Sequence, residues 1–136
     1  MEIKFRGKQT ESGEWYHGFY VKDRHGGHYI LMEYNGLGTN AYSVDGNTVG
    51  QYTGQKDKCG KDIFAGDVLI DAFRGEDPRK YLVQWDVKCS RFLAVTKPLE
   101  AKSEDRHLWY VGDELSENGL IIGNIHDTPE LLEATA

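Results

Sequence analysis

Apolar side chains in this chain recur at every second position and almost never at every third or fourth, and that period restricts its fold more than any other feature. Alternation places successive side chains on opposite faces of an extended strand, whereas a surface helix needs a repeat near 3.6. In the opening run Ile3 and Phe5 alternate with Lys4, Arg6 and Lys8, which predicts a half-buried strand whose charges share its outer side. WYHGFYVK, residues 15–22, alternates Trp15, His17, Phe19 and Val21 against Tyr16, Gly18, Tyr20 and Lys22. Gly26-Gly27 separates it from HYILMEY, so the two runs predict a hairpin.

Further turns follow at Asn35–Asn40 and Asp45-Gly46, with strand-like runs at 68–73, 81–85, 91–96 and 120–126. Short strands broken by turns predict a mainly β protein, a small SH3-like barrel or barrels of antiparallel strands. One or two short helices complete it. One spans 112–117, and a C-terminal one follows Asp127-Thr128-Pro129-Glu130, where a capping side chain precedes proline at the first helical position. Leu131 and Leu132 are then placed to pin that helix to the barrel. The 136 residues suit a single unit, 1–136, with a subdivision into a β meander over 1–53 and a barrel over 54–136.

QYTGQKDKCGKDIFAGDVLI, residues 51–70, imitates a phosphate-binding loop. That loop needs Gly-x-x-x-x-Gly-Lys followed by Ser or Thr. Here position 55 is Gln and position 62 is Asp, and no helical pattern follows. Two turns feeding a strand account for the same residues. Lys58-Cys59-Gly60-Lys61 is read as a two-residue hairpin turn, which asks Cys59 for a left-handed backbone, and Ala65-Gly66-Asp67 as the next reversal.

Candidate chemistry is sparse. His25 and His28 flank Gly26-Gly27 with Asp23 nearby, but a metal needs further converging ligands, so a solvated hairpin tip is the reading. Asp57, Asp62, Asp67 and Asp71 offer carboxylates for acid–base work, and acids beside glycine turns more often cap them. Cys89 lies between Lys88 and Arg91, which lower a thiol pKa, yet no histidine partner is identifiable. Lys4, Arg6 and Lys8, with Tyr16 or Tyr20, form a candidate nucleic-acid contact, and equally a charged edge strand that resists aggregation. The net charge of −6 argues against a general attraction to nucleic acid or acidic membrane. Two cysteines without a metal spacing, and no apolar leader or 18-residue apolar run, lead to the expectation of a soluble cytoplasmic protein with no membrane association.

The run TVGQYTGQKDKCGKDIFAGDVL resembles the "TG-x-x-D-x-N-G-x-x-I-x-x-G-D" signature of the YopX-like proteins of phages and prophages. IIGNIHDTPELLE is similar to that family's closing "GN-I-x-x-x-P-x-L", and MEIKFRGK to its opening "IKFR". The matched positions are Gly54, Asp57, Gly60, Gly66, Asp67, Gly123, Asn124 and Pro129; Cys59 replaces the usual Asn. The resemblance implies a mainly β, SH3-like, self-associating protein of phage or prophage origin in the bacterial cytoplasm. It brings no catalytic residue and no cofactor. The expectation is a noncatalytic homo-oligomer that binds a host or phage protein; a nucleic-acid-associated regulator and an enzyme with an unrecognised site are the alternatives.

Overall fold

Eleven short strands, one α-helix and one 3-10 turn make up the described part of the chain. The structure, a computed structural model, describes residues 2–72, 78–102 and 105–132. It divides into two compact units, Met1–Tyr52 and Thr53–Ala136.

In the first unit β1 (Phe5–Lys8), β2 (Trp15–Lys22), β3 (His28–Glu33), β4 (Thr39–Ser43) and β5 (Asp45–Lys56) form an antiparallel sheet in the order β4-β3-β2-β1-β5. β5 runs on past Tyr52 into the second unit. β1 therefore lies between two strands, and the expected charged edge strand is a central one. Sequence alternation cannot reveal this, because β5 pairs with β1 across a long separation.

The registers Gly7↔Tyr16, Phe5↔Gly18, Tyr20↔Ile30 and Ile30↔Tyr42 set one face. Ile30 is wholly buried there, Tyr16 and Tyr42 stack with centroids 4.0 Å apart, and Tyr20 meets both Phe5 and His28. The other face carries Trp15, Phe19, Val21, Tyr29 and Leu31. Phe19 is 65% exposed and Val21 41%, so the apolar set of WYHGFYVK points largely to solvent. Ile3 is exposed as well, while Arg6 is buried, opposite to the simple reading of the opening run.

The second unit contains β6 (Asp62–Phe64), β7 (Asp67–Asp71), β8 (Lys80–Asp86), β9 (Arg91–Val95), β10 (Leu108–Tyr110), α1 (Asp113–Asn118), β11 (Gly119–Asn124) and a 3-10 turn (Pro129–Leu131). β6 follows the end of β5, and the others form an antiparallel sheet, β10-β9-β8-β7-β11. Both of its faces are covered. Leu69, Tyr81, Val83 and Ala94 pack with Ile63 and Leu115 on one side, and Val68, Leu82, Leu93 and Val95 pack with Leu99, Ile125, Leu131 and Leu132 on the other. Burial on two sides explains the nearly unbroken apolar runs of β7 and β9. A barrel encloses one interior, and this sheet has two. The described residues contain no closed barrel, because β10 and β11 each have a single neighbour in the sheet.

α1 covers most of the expected helix at 112–117, with Asp113 and Glu114 favourably placed in its first turn. The C-terminal helix is only a 3-10 turn. Pro129 opens it as anticipated, but no side chain caps it: Asp127 is instead engaged by Asn124. The expected strand 68–73 ends at Asp71, and Phe73 lies outside the described residues.

Candidate functional site

The eight signature positions all fall in the second unit, where they build turns and braces rather than a reactive centre. Gly60 donates its N–H to Asp57 O at 2.9 Å, and Asp57 donates its own to Lys61 O at 2.7 Å. This is a type I turn closed by a glycine bulge, not the two-residue turn centred on Cys59-Gly60. The left-handed residue is Gly60, φ 86°, and Cys59 takes no positive φ. Cys59, at the position where the resemblance places asparagine, is therefore under no left-handed strain. The Asp57 carboxylate holds the loop together: Oδ1 accepts from Cys59 N and Lys61 N, both at 2.9 Å. Its Oδ2 reaches across the unit and accepts from Ile121 N at 3.1 Å, while Lys58 N donates to Gly119 O at 2.8 Å. The turn is thereby clamped to β11, and Asp57 is only 5% exposed.

Asp67 is buried too, its Oδ2 accepting from Phe64 N at 2.8 Å across the β6–β7 turn. Gly66 supplies that turn's positive φ of 98° and bonds outward on both sides, N–H to Val83 O and carbonyl to Ile125 N. Gly54 holds a φ of 88° within β5. Gly123 marks the irregularity in the β7–β11 register, and a Cβ there would stand 2.8 Å from Leu131 Cδ1. Asn124 Oδ1 accepts from His126 N and Asp127 N, shaping the reversal that leads to Pro129.

The other candidate groups are dispersed. Asp62 pairs with Lys56 at 2.6 Å, and Asp71 sits opposite Gly119 in the sheet. His28 Nδ1 and Tyr20 Oη share a hydrogen bond of 2.6 Å, which keeps that imidazole on the sheet face, whereas His25 stays in the turn with its N–H on Asp23 Oδ1. No three His, Cys, Asp or Glu side chains among the described residues cluster as metal ligands do. Cys59 and Cys89 are both exposed free thiols. Asp86, hydrogen-bonded to the Cys89 thiol and adding its negative charge, pushes that pKa up, against the smaller opposite pull of Arg91 and Lys88. The lowering expected from the flanking cations alone is thus reversed, because the charge nearest in space is an acid.

Lys4, Arg6 and Lys8 do not form an exposed stripe. Arg6 is 7% exposed, its guanidinium 4.8 Å from the centre of the Trp15 ring. Lys4 lies over Tyr52 at 4.8 Å and pairs with Glu2 at 3.3 Å. A cation over an aromatic face is stabilised and partly withdrawn from other partners. Two features are hidden from local sequence: the outward turn of Phe19 and Val21, and the two-sided burial of the second sheet.

These features define a class: a small antiparallel β protein of two units whose most specific sequence motifs are structural clamps. Within that class the chain belongs to the YopX protein family, whose model matches residues 4–133. The fold is similar to the crystal structure of protein EF1440 from Enterococcus faecalis, with a TM-score of 0.58 at 21% identity over 97% of this chain and 99% of that one. No curated protein matches. Among the described residues no helix is long and apolar enough to cross a membrane.

Proposed function

We propose that this protein is a noncatalytic, self-associating β module that docks a second copy, and then a host or phage protein, on the outer face of the first-unit sheet. The observation that carries this reading is the exposure of Phe19 and Val21 beside Leu31 and Tyr29 on one sheet face. Contiguous exposed apolar surface on a soluble domain favours association. β4 and β10 are also unpaired on one side among the described strands, so each offers backbone groups to another strand. Assignment to a phage or prophage, and to the bacterial cytoplasm, rests on the family resemblance. The signature carboxylates support a noncatalytic role, since the oxygens of Asp57 and Asp67 hold backbone N–H groups.

Sedimentation velocity tests the self-association. The parent should show a concentration-dependent oligomer, and Phe19→Asp should shift it to monomer while leaving the circular dichroism spectrum unchanged. A parent that remains monomeric at high concentration overturns the reading. Capture from infected cells should recover a protein partner with the parent and lose it with Phe19→Asp.

A further inference from the structure

We propose that the second unit carries a binding site for a small phosphate-bearing ligand at the open end of the β8–β9 hairpin. A cavity of about 240 Å³ is lined there by Arg79, Lys80, Thr96, Lys97, Asp105 and His107. The β8–β9 register ends with Leu82 opposite Val95, and Lys80 at the start of β8 and Lys97 just past the end of β9 both reach this pocket. Among the described lining residues the one acid is Asp105, whose Oδ1 lies 2.7 Å from Lys97 Nζ. Arg79 and Lys80 have no ion pair among the described residues. Arg79 and Lys80 thus face one concavity beside the Asp105-paired Lys97, in a chain whose net charge is −6.

The wall of this cavity is fixed before any ligand arrives. Arg106 donates through Nε to Lys97 O at 2.9 Å and through Nη2 to Pro98 O at 2.8 Å and to Ala101 O. Its guanidinium is committed to the loop, so Arg106 positions Lys97 rather than binding. His107 N donates to Thr96 Oγ1 at 2.9 Å, and Thr96 N returns a bond to His107 O at 3.1 Å.

Charge and size select the ligand class. A phosphate monoester dianion matches the charge of Arg79 and Lys80, which form no ion pair among the described residues, and guanidinium presents paired donors suited to phosphate oxygens. At about 240 Å³ the cavity falls just below the range of about 300–1,000 Å³ that encloses drug-sized ligands. It suits a phosphate with a few attached atoms. The inference is independent of the proposed self-association, since it rests on other residues in the other unit.

Titration followed by ¹H–¹⁵N NMR tests it with four probes: inorganic phosphate, phenyl phosphate, acetate and a single-stranded oligonucleotide. Saturable shifts at Lys80, Thr96, Lys97 and His107 with both phosphates, and at least tenfold weaker binding in Arg79→Ala/Lys80→Ala, support the site. Equal affinity for acetate, shifts spread over the surface without saturation, binding of the oligonucleotide alone, or unchanged affinity in the double variant overturns it. Should that variant fail to fold, exposed Lys97→Ala replaces it: a threefold or greater loss supports the site, and an unchanged dissociation constant rejects it.

Discussion

Asp23-Arg24-His25-Gly26-Gly27 and Asp57-Lys58-Cys59-Gly60-Lys61 are the same turn built twice, once in each unit. In both, the aspartate N–H bonds to the carbonyl four residues on, and the glycine N–H returns to the aspartate carbonyl. Both aspartate Oδ1 atoms accept from the backbone N–H groups two and four residues later. Gly26 and Gly60 have φ values of 87° and 86°. What differs is the remaining carboxylate contact: Asp57 Oδ2 binds Ile121 N of β11, 64 residues away, whereas Asp23 meets only the Tyr29 hydroxyl of its own hairpin among the described residues. One local sequence pattern thus makes a detachable tip in the first unit and a tertiary clamp in the second. The lesson is that a turn motif fixes local geometry, while its energetic weight is decided by what it touches.

The largest expected break in this parallel is Asp57→Ala. It removes three acceptor contacts, including the one to β11, from a residue that is 5% exposed. A lost bond to a charged group is worth about 1.5–3 kcal/mol, and backbone N–H groups are left without their partner. Chemical denaturation should show a loss of about 3 kcal/mol or more. Asp23→Ala should leave the midpoint of the same transition nearly unchanged. Equal losses in the two variants would refute the distinction between clamp and tip.

Next in size are the glycines. An alanine at Gly26 or Gly60 meets no neighbouring atom within 4 Å, so only the left-handed backbone opposes it. The intrinsic strain is about 1–2 kcal/mol in either turn. Because the Asp57 turn is tied to β11, Gly60→Ala should lower global stability by about that amount. Gly26→Ala should instead be absorbed locally, read as faster hydrogen exchange in the β2–β3 hairpin with little change in global unfolding. A global loss for Gly26→Ala matching that for Gly60→Ala would show that the first turn is tied down as firmly.

This contrast also marks what the sequence made legible. Alternation at 15–22 and 28–33, and glycine pairs such as Gly26-Gly27, announced the strands and hairpins because those signals are local. Alternation defines two faces of a strand but not which one is covered, so WYHGFYVK revealed the division of side chains and concealed the outward turn of Phe19. Arg6 read as solvent-facing because its burial depends on Trp15, nine residues away, and on β1 lying between β2 and β5. Asp57 was recognisable as a turn acid, but its bond to Ile121 spans 64 residues. The pocket beside Lys80 and Lys97 was hidden for the same reason, because only the fold brings the start of β8 and the stretch after β9 to one concavity.

The smallest expected effect concerns protonation of the exposed turn. The Asp23 carboxyl is held below its ordinary pKa, first by the hydrogen bond from Gly27 N–H and then, against a lesser desolvation effect, by that from His25 N–H, the Tyr29 hydroxyl and nearby His28. A depressed folded-state value means the unfolded chain takes up the proton more readily. The stabilisation is therefore complete above the unfolded carboxylate pKa and disappears as pH falls through the lower folded value. Carboxyl carbon shifts followed by NMR should titrate below the unfolded value at Asp23. Amides in the 23–27 loop should lose exchange protection over that same acidic window, and Asp23→Asn should abolish the window because it carries no titrating proton. If Asp23 titrates at the ordinary value, the two backbone N–H groups are not gripping its charge, and the likeness between the turns is confined to their backbone.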